Sequence, residues 1–155
     1  MNQPHCKKTP IAYLTRKEQI SCCHCLNSPF LSEQENKQIY GKCNNVFGHG
    51  HNYTVEVTVR GPIDPSTGMV MNLTNLKRYM QEAVLDRFDH KNIDKQVDYF
   101  ANTVSTTENI AVYIFEELKK LMPNPELLYE VKIHETDKNV MCFRGEYEEN
   151  VSPNS

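Results

Sequence analysis

The sequence predicts an α+β fold: a four-stranded antiparallel sheet with two helices on one face, in the order β-β-α-α-β-β. Three observations carry this. Stretches that alternate apolar and polar residues lie towards both ends of the chain, and helical periodicity is confined to its middle. The length of 155 residues, 39% of them hydrophobic, is enough for one core. Strands grouped with strands and helices with helices favour an antiparallel sheet over a parallel one.

Residues 1 to 10 and 146 to 155 are polar, carry Pro, Asn and Ser, and read as mobile tails around a folded core of about 11 to 145. The whole of 1 to 155 reads as one domain. The first strand covers about 11 to 26, where Ile20, Cys22, His24 and Leu26 share a face. A long polar loop containing Cys43 leads to the second strand, about 49 to 60. There His49, His51, Tyr53, Val55, Val57 and Val59 alternate with Thr54, Glu56, Thr58 and Arg60, and the strand stops at Gly61-Pro62. A helix starts near Asn72 to Asn75, with Leu73, Leu76, Met80, Ala83 and Val84 spaced for one face. The second helix opens at Ser105, with Glu108 three residues later as a capping box, and runs to Pro123 with Ile110, Ile114, Leu118 and Leu121 inward. Two strands, about 127 to 136 and 139 to 145, close the domain around a hairpin at Thr136-Asp137-Lys138-Asn139. The open sheet leaves two edges, which proteins usually pair or cover, so assembly with further copies is expected.

Bulk properties exclude several classes of function. A formal charge of −3 and a pI near 6.1 argue against a broad nucleic-acid-binding face. No apolar run approaches the length of a membrane span, and Met1 to Lys8 lacks the apolar region of a signal peptide, so a cytoplasmic location without membrane contact is expected. In that compartment the six cysteines stay reduced, with Cys22, Cys23, Cys25 and Cys142 as small strand residues. The cluster Cys22-Cys23-His24-Cys25 does not read as half a zinc finger, because adjacent strand residues point to opposite faces and no Cys-x-x-Cys pair completes it.

The chemistry concentrates at the mouth of the second strand. Side chains two apart on a strand share a face about 6.8 Å apart, so the His49 and His51 rings can converge on one cation. Gly50 between them leaves the backbone uncrowded. The pair ends an apolar stripe, where neutral imidazole is favoured and available to a metal. Two histidines do not fill a zinc site, and His24, on the matching face of the first strand, is the best third ligand. Three nitrogens with an open fourth position describe a catalytic Zn2+ site, whereas a structural site closes with four. Cys43 lies in the loop just before this strand, beside Lys42 and near the expected dication, two influences that favour thiolate and make it a candidate base. Asp89-His90, in the loop after the first helix, fits either a surface loop or a proton shuttle in which the carboxylate orients the imidazole. Glu135 ends the row Tyr129, Val131, Ile133 as His51 ends its own, although a surface glutamate after a strand is the commoner case.

Gly41-Lys42-Cys43-Asn44-Asn45 followed by Phe47-Gly48-His49-Gly50-His51-Asn52-Tyr53 resembles the signature of the 6-pyruvoyl-tetrahydropterin synthases, enzymes of the tunnelling (T-fold) class. The likeness continues through Gly68 to Leu73, Leu85 to Asn92, Val104 to Asn109 and Glu135-Thr136-Asp137, covering about residues 16 to 145. It implies a carbon-oxygen lyase acting on phosphates, which converts 7,8-dihydroneopterin triphosphate to 6-pyruvoyl-tetrahydropterin with loss of triphosphate in tetrahydrobiopterin biosynthesis. The implied assembly is a homo-oligomer, a hexamer of two trimers whose sheets join into barrels, with active sites between subunits. By the same resemblance zinc sits on His24, His49 and His51, Cys43 abstracts a proton from the substrate side chain, and Asp89 and His90 form a relay. Glu135 anchors the 2-amino and N3 edge of the pterin by paired hydrogen bonds, and Thr106 and Thr107 add contacts to the ring. Glu108 reads as a helix cap first and a ligand contact second.

The chain departs from the family pattern in two places: Val46-Phe47 stands where members have Pro-Asn, and Cys25 where they have a basic residue. The second leaves Lys42, Lys91, Arg16 and Lys17 as candidates to hold the triphosphate. The nearest rival is the 6-carboxy-tetrahydropterin synthase branch of the fold, which usually has a shorter cysteine-to-histidine interval than the five residues between Cys43 and His49. A non-catalytic zinc-binding module of the same fold is the rival from another class, against which the set Cys43, Asp89, His90 and Glu135 argues.

Overall fold

The computed structural model describes residues 8–149, so most of the two expected tails, residues 1–7 and 150–155, lies outside the described residues. Strand β1 (Ile11–His24) pairs antiparallel with β2 (His49–Pro62) along its whole length, from Ile11 opposite Pro62 to His24 opposite His49. Strict alternation makes this register the one that buries both apolar rows. Ile20, Cys22 and His24 go inside on β1, as do Tyr53, Val55, Val57 and Val59 on β2. Strand β4 (Leu128–His134, numbered in chain order) pairs antiparallel with β2, and β5 (Val140–Phe143) with β4.

The sheet has five strands rather than four: with β3 (Lys91–Asn92) the order is β3-β1-β2-β4-β5. The extra member, β3, runs parallel to β1 beside Cys22 and Cys23. Two residues are too few to carry a readable period, and tertiary placement alone makes them a strand.

One helical rod crosses the sheet from α2 (Leu73–Met80) through a π-turn (Gln81–Leu85) into α3 (Asp86–Phe88), opened by Asn72, whose side chain accepts from the Thr74 N–H. Leu76, Met80, Ala83 and Val84 are buried as expected, but Leu73 is 51% exposed. It lines a surface pocket together with Ala12 and Tyr13, and Tyr79 is a further buried residue of the helix. After β3 come the single turn α4 (Ile93–Gln96) and a 3-10 turn (Asp98–Ala101), held by the buried Ile93, Val97 and Phe100.

Helix α5 (Thr107–Leu121) buries Ile110, Ile114 and Leu118 completely, with Leu121 partly covered. Each such aliphatic side chain contributes about 1.5–3 kcal/mol to holding the helix on the sheet. Its cap corrects the expectation. Thr106, not Ser105, accepts from the Asn109 N–H, and Ser105 is buried with its hydroxyl donated to the Asp94 carboxylate. A charged acceptor outcompetes a helix-end amide, which moves the cap along by one residue and leaves Glu108 without a capping role. Extended backbone at Met122, before Pro123, ends the helix.

The connection between β1 and β2 is more structured than a polar loop. Helix α1 (Glu33–Tyr40) opens with a capping box between Ser32 and Glu35, and a 3-10 turn (Gly41–Asn44) then presents Cys43. The buried Asn36 pins this segment: its side chain accepts from the Ser28 N–H and donates to the carbonyls of Ser28, Leu31 and Ser32. The helix start was readable as Ser-x-x-Glu, but Asn36 is the one buried residue of the helix, so no apolar period accompanies it. Among the described residues no helix is long and apolar enough to cross a membrane.

Candidate metal centre and adjoining cavity

The antiparallel register sets His24 opposite His49 and Cys22 opposite His51, so the three histidines meet where β1 ends and β2 begins. One ring nitrogen from each lies within 4.8 Å of the other two. His24 is fixed most tightly. Its Nδ1 lies 2.7 Å from the Ser105 carbonyl oxygen, which can only accept, so Nδ1 carries the proton and the neutral ring presents a bare Nε2. That Nε2 is 3.1 Å from Nε2 of His49 and 3.4 Å from the Tyr53 hydroxyl.

Burial pushes the His24 pKa below its ordinary value, the Ser105 carbonyl opposes this, and His49 and His51 add to the lowering. His51 is lowered by burial as well, against an upward pull from Glu135. Both imidazoles are therefore neutral and able to donate to a cation near pH 7. Nδ1 of His49 and Nε2 of His51 are buried without a hydrogen-bond partner among the described residues. Each such group costs about 1–3 kcal/mol unless something satisfies it. Neutral imidazoles converging from two strands fit a divalent metal: tetrahedral ligands at zinc distances are roughly 3.3 Å apart, close to the nearest pair here.

Glycine matters at this centre, at Gly48 rather than Gly50. Gly48 has φ +76°, and a Cβ there would come within 3.0 Å of the His24 carbonyl oxygen, whereas at Gly50 the nearest group, the Cys22 carbonyl oxygen, would be at an ordinary 3.6 Å. Gly48→Ala is expected to destabilise the fold by roughly 1–3 kcal/mol, and Gly50→Ala by much less. Thermal melts of the two variants side by side check this, and equal melting temperatures would contradict it.

A cavity of about 520 Å³ opens beside the histidines, a volume suited to a small ligand. His24, Cys43, Thr106, Thr107, Glu108 and Glu135 line it. Cys43 is held there because the Leu26 N–H donates to its carbonyl and the Asn44 side chain donates to the carbonyl of Leu26. Glu135 follows the last residue of β4, and its Oε1 accepts from Thr107 at 3.1 Å and lies 3.9 Å from Nε2 of His51. Glu108, freed from capping, faces the same space.

Asp89 and His90 are not brought to this cavity within the chain. The Asp89 carboxylate accepts from the Ser21 N–H at 2.9 Å and contacts Nδ1 of His90 at 2.9 Å, while the His90 N–H donates to the Ser21 carbonyl. The Ser21 N–H, and after it His90, holds the Asp89 carboxyl below its usual range. Left-handed backbone at His90, φ 59°, lets this two-residue clasp close on β1, and the His90 side chain is 84% exposed. Among the expected triphosphate cations, Arg16 pairs with Glu18, Lys17 with Glu56, and Lys91 donates to the Asp86 carbonyl. None of them, nor Lys42, lines the cavity; Lys138 of the β4-β5 hairpin does, a residue that read only as part of a turn.

Comparison with known proteins agrees with this geometry. The family model "6-pyruvoyl tetrahydropterin synthase" matches residues 13–146. A 6-pyruvoyl tetrahydrobiopterin synthase from Drosophila melanogaster is 61% identical over 138 residues, 89% of this chain and 82% of that protein. The Homo sapiens protein of the same name is 56% identical over 135 residues, 87% of this chain and 92% of the relative. The structure of Caenorhabditis elegans 6-pyruvoyl tetrahydropterin synthase superposes with a TM-score of 0.87 at 49% identity, covering 89% of this chain and 98% of that one. Fold, histidine cluster and similarity along nearly the whole folded length agree, and the chain belongs to the 6-pyruvoyl tetrahydropterin synthase family.

Proposed function

We propose that the protein is a zinc enzyme that converts 7,8-dihydroneopterin triphosphate to 6-pyruvoyl-5,6,7,8-tetrahydropterin with elimination of triphosphate. The observation that carries this reading is one cavity shared by His24 of the histidine cluster, Cys43 and Glu135. His24, His49 and His51 would hold zinc, which would supply Lewis acidity towards the substrate's side-chain hydroxyls. Cys43, which lines the same cavity, takes a proton from the substrate side chain as general base. Glu135 accepts two hydrogen bonds from the 2-amino and N3 edge of the pterin, and its bond from Thr107 aligns the carboxylate for this. Thr106 and Glu108 close the ring-binding wall, and Lys138 is the cation nearest to hand for an anionic tail.

His90, oriented by Asp89, relays protons during the redox shift and elimination. Its exposure suits action on the cavity of another copy, as expected for a homo-oligomer with composite sites. Beyond the short β3, the outer edge of β1 from Ile11 to Gln19 is unpaired among the described residues, as is that of β5, and both suit pairing with further copies into a barrel, two trimers forming a hexamer. Light scattering across a dilution series should give a mass well above the 18.0 kDa monomer at all active concentrations. A fully active monomer would contradict composite sites.

The five residues between Cys43 and His49 favour the 6-pyruvoyl over the 6-carboxy branch. Incubation with dihydroneopterin triphosphate and identification of the pterin product by mass tests this directly. The expected result is the pyruvoyl product, a carboxylated pterin would transfer the chain to the other branch, and no turnover would leave a metal-binding module.

A further inference from the structure

We infer that Asp94 is the positioning residue of the metal centre: its carboxylate braces both the strand end that carries His24 and the loop whose carbonyl orients the His24 ring. The inference rests on the zinc reading above. Asp94 lies on the single turn α4 and touches none of the three ring nitrogens that converge. Its Oδ2 accepts from the backbone N–H of Cys25 at 2.6 Å, the residue next to His24. Its Oδ1 accepts from the Ser105 hydroxyl at 2.5 Å, and the Ser105 carbonyl accepts from Nδ1 of His24 at 2.7 Å. A closed loop results: His24 backbone, Cys25 N–H, Asp94, Ser105, His24 ring.

Each bond to the carboxylate is charge-assisted, and Ser105 and His24 are buried, so these contacts are stronger than their counterparts in water. The loop controls two things a metal ligand needs. It sets where the His24 backbone stands relative to β2, and it fixes the tautomer and tilt that aim Nε2 at His49. Ser105 presents its carbonyl correctly only while its hydroxyl is anchored, because the residue sits in irregular chain just before the cap of α5. The whole arrangement joins three separate stretches of chain, and α4 is placed by Ile93, which is fully buried in the core. Loss of such an outer partner of a ligating histidine typically weakens metal binding about 10- to 100-fold.

The test measures zinc affinity by competition with a chromophoric chelator in the full chain, with the visible spectrum of the cobalt(II)-loaded protein as a second readout. Asp94→Asn keeps the shape and removes the charge; Ser105→Ala removes the anchored hydroxyl and keeps the carbonyl. Both should bind zinc at least about 10-fold more weakly than the parent and shift the cobalt bands, while the metal-free proteins melt within a few degrees of the metal-free parent. A folded Asp94→Asn protein with the parent's affinity and cobalt spectrum would overturn the inference. Should Asp94→Asn not fold, Ser105→Ala decides by the same criteria, and collapse of both would mean a purely structural bond and overturn it as well. Failure of the zinc reading looks different: the parent itself would bind no zinc, or His49→Ala would bind it as tightly as the parent.

Discussion

His49→Ala is expected to leave the purified protein nearly free of zinc and without measurable turnover. Zinc affinities spread over a full ligand set correspond to about 3 kcal/mol or more per ligand, so losing one of three nitrogens weakens binding roughly a hundredfold or more. The fold should survive. The substitution removes a ring nitrogen that is buried without a partner among the described residues, and the relief of that cost, about 1–3 kcal/mol, offsets part of the packing lost. Elemental analysis, a melt of the metal-free protein and a turnover assay on one preparation separate metal loss from unfolding. Full zinc occupancy in a variant lacking His24, His49 and His51 together would sink the assignment.

Cys43→Ala is expected to do the opposite to the metal and the same to the reaction. Zinc content and pterin binding stay at the parent level, while product formation falls by ~10² to 10⁴, the usual cost of removing a general base. The two proposed roles fall on separate groups. The side-chain atoms that converge closely enough to hold a metal belong to His24, His49 and His51, and Cys43 lines the cavity from its own 3-10 turn, where its carbonyl accepts from the Leu26 N–H two residues beyond the first strand. A fourth, closed ligand would shut substrate out, and its removal would loosen the metal and lower the melting temperature together. Loss of zinc along with stability in Cys43→Ala is therefore the outcome that would overturn its role as base.

What was legible in the residues is what local periodicity encodes. His49 and His51 share a face because strand side chains repeat every two residues, and His24 joined them because its own row, Ile20 and Cys22, carries the matching pattern. Glu135 was readable in the same way, at the end of Tyr129, Val131 and Ile133. The two long helical stretches followed from their 3.6-residue spacing, and their misplaced details, Leu73 inward and Ser105 as cap, lie at helix starts where one side chain's alternative partner decides the outcome.

Only the tertiary structure decided the rest, and the reason is distance along the chain. The carbonyl of Ser105 reaches His24 across 81 residues, and any residue type supplies a carbonyl, so side-chain identity carries no sign of it. Gly48 is required because of a neighbour's backbone, where Gly50 looked the more significant glycine. Asp89-His90 read as a surface loop or a proton shuttle, with a partnership with Cys43 implied only by the family resemblance, and bonds to the Ser21 backbone hold the pair away from the cavity of its own chain. Residue types and their periods marked the histidine row and the layered fold; strand register and shared backbone carbonyls, which depend on contacts between distant segments, determined how those histidines are oriented and which groups meet them in the cavity.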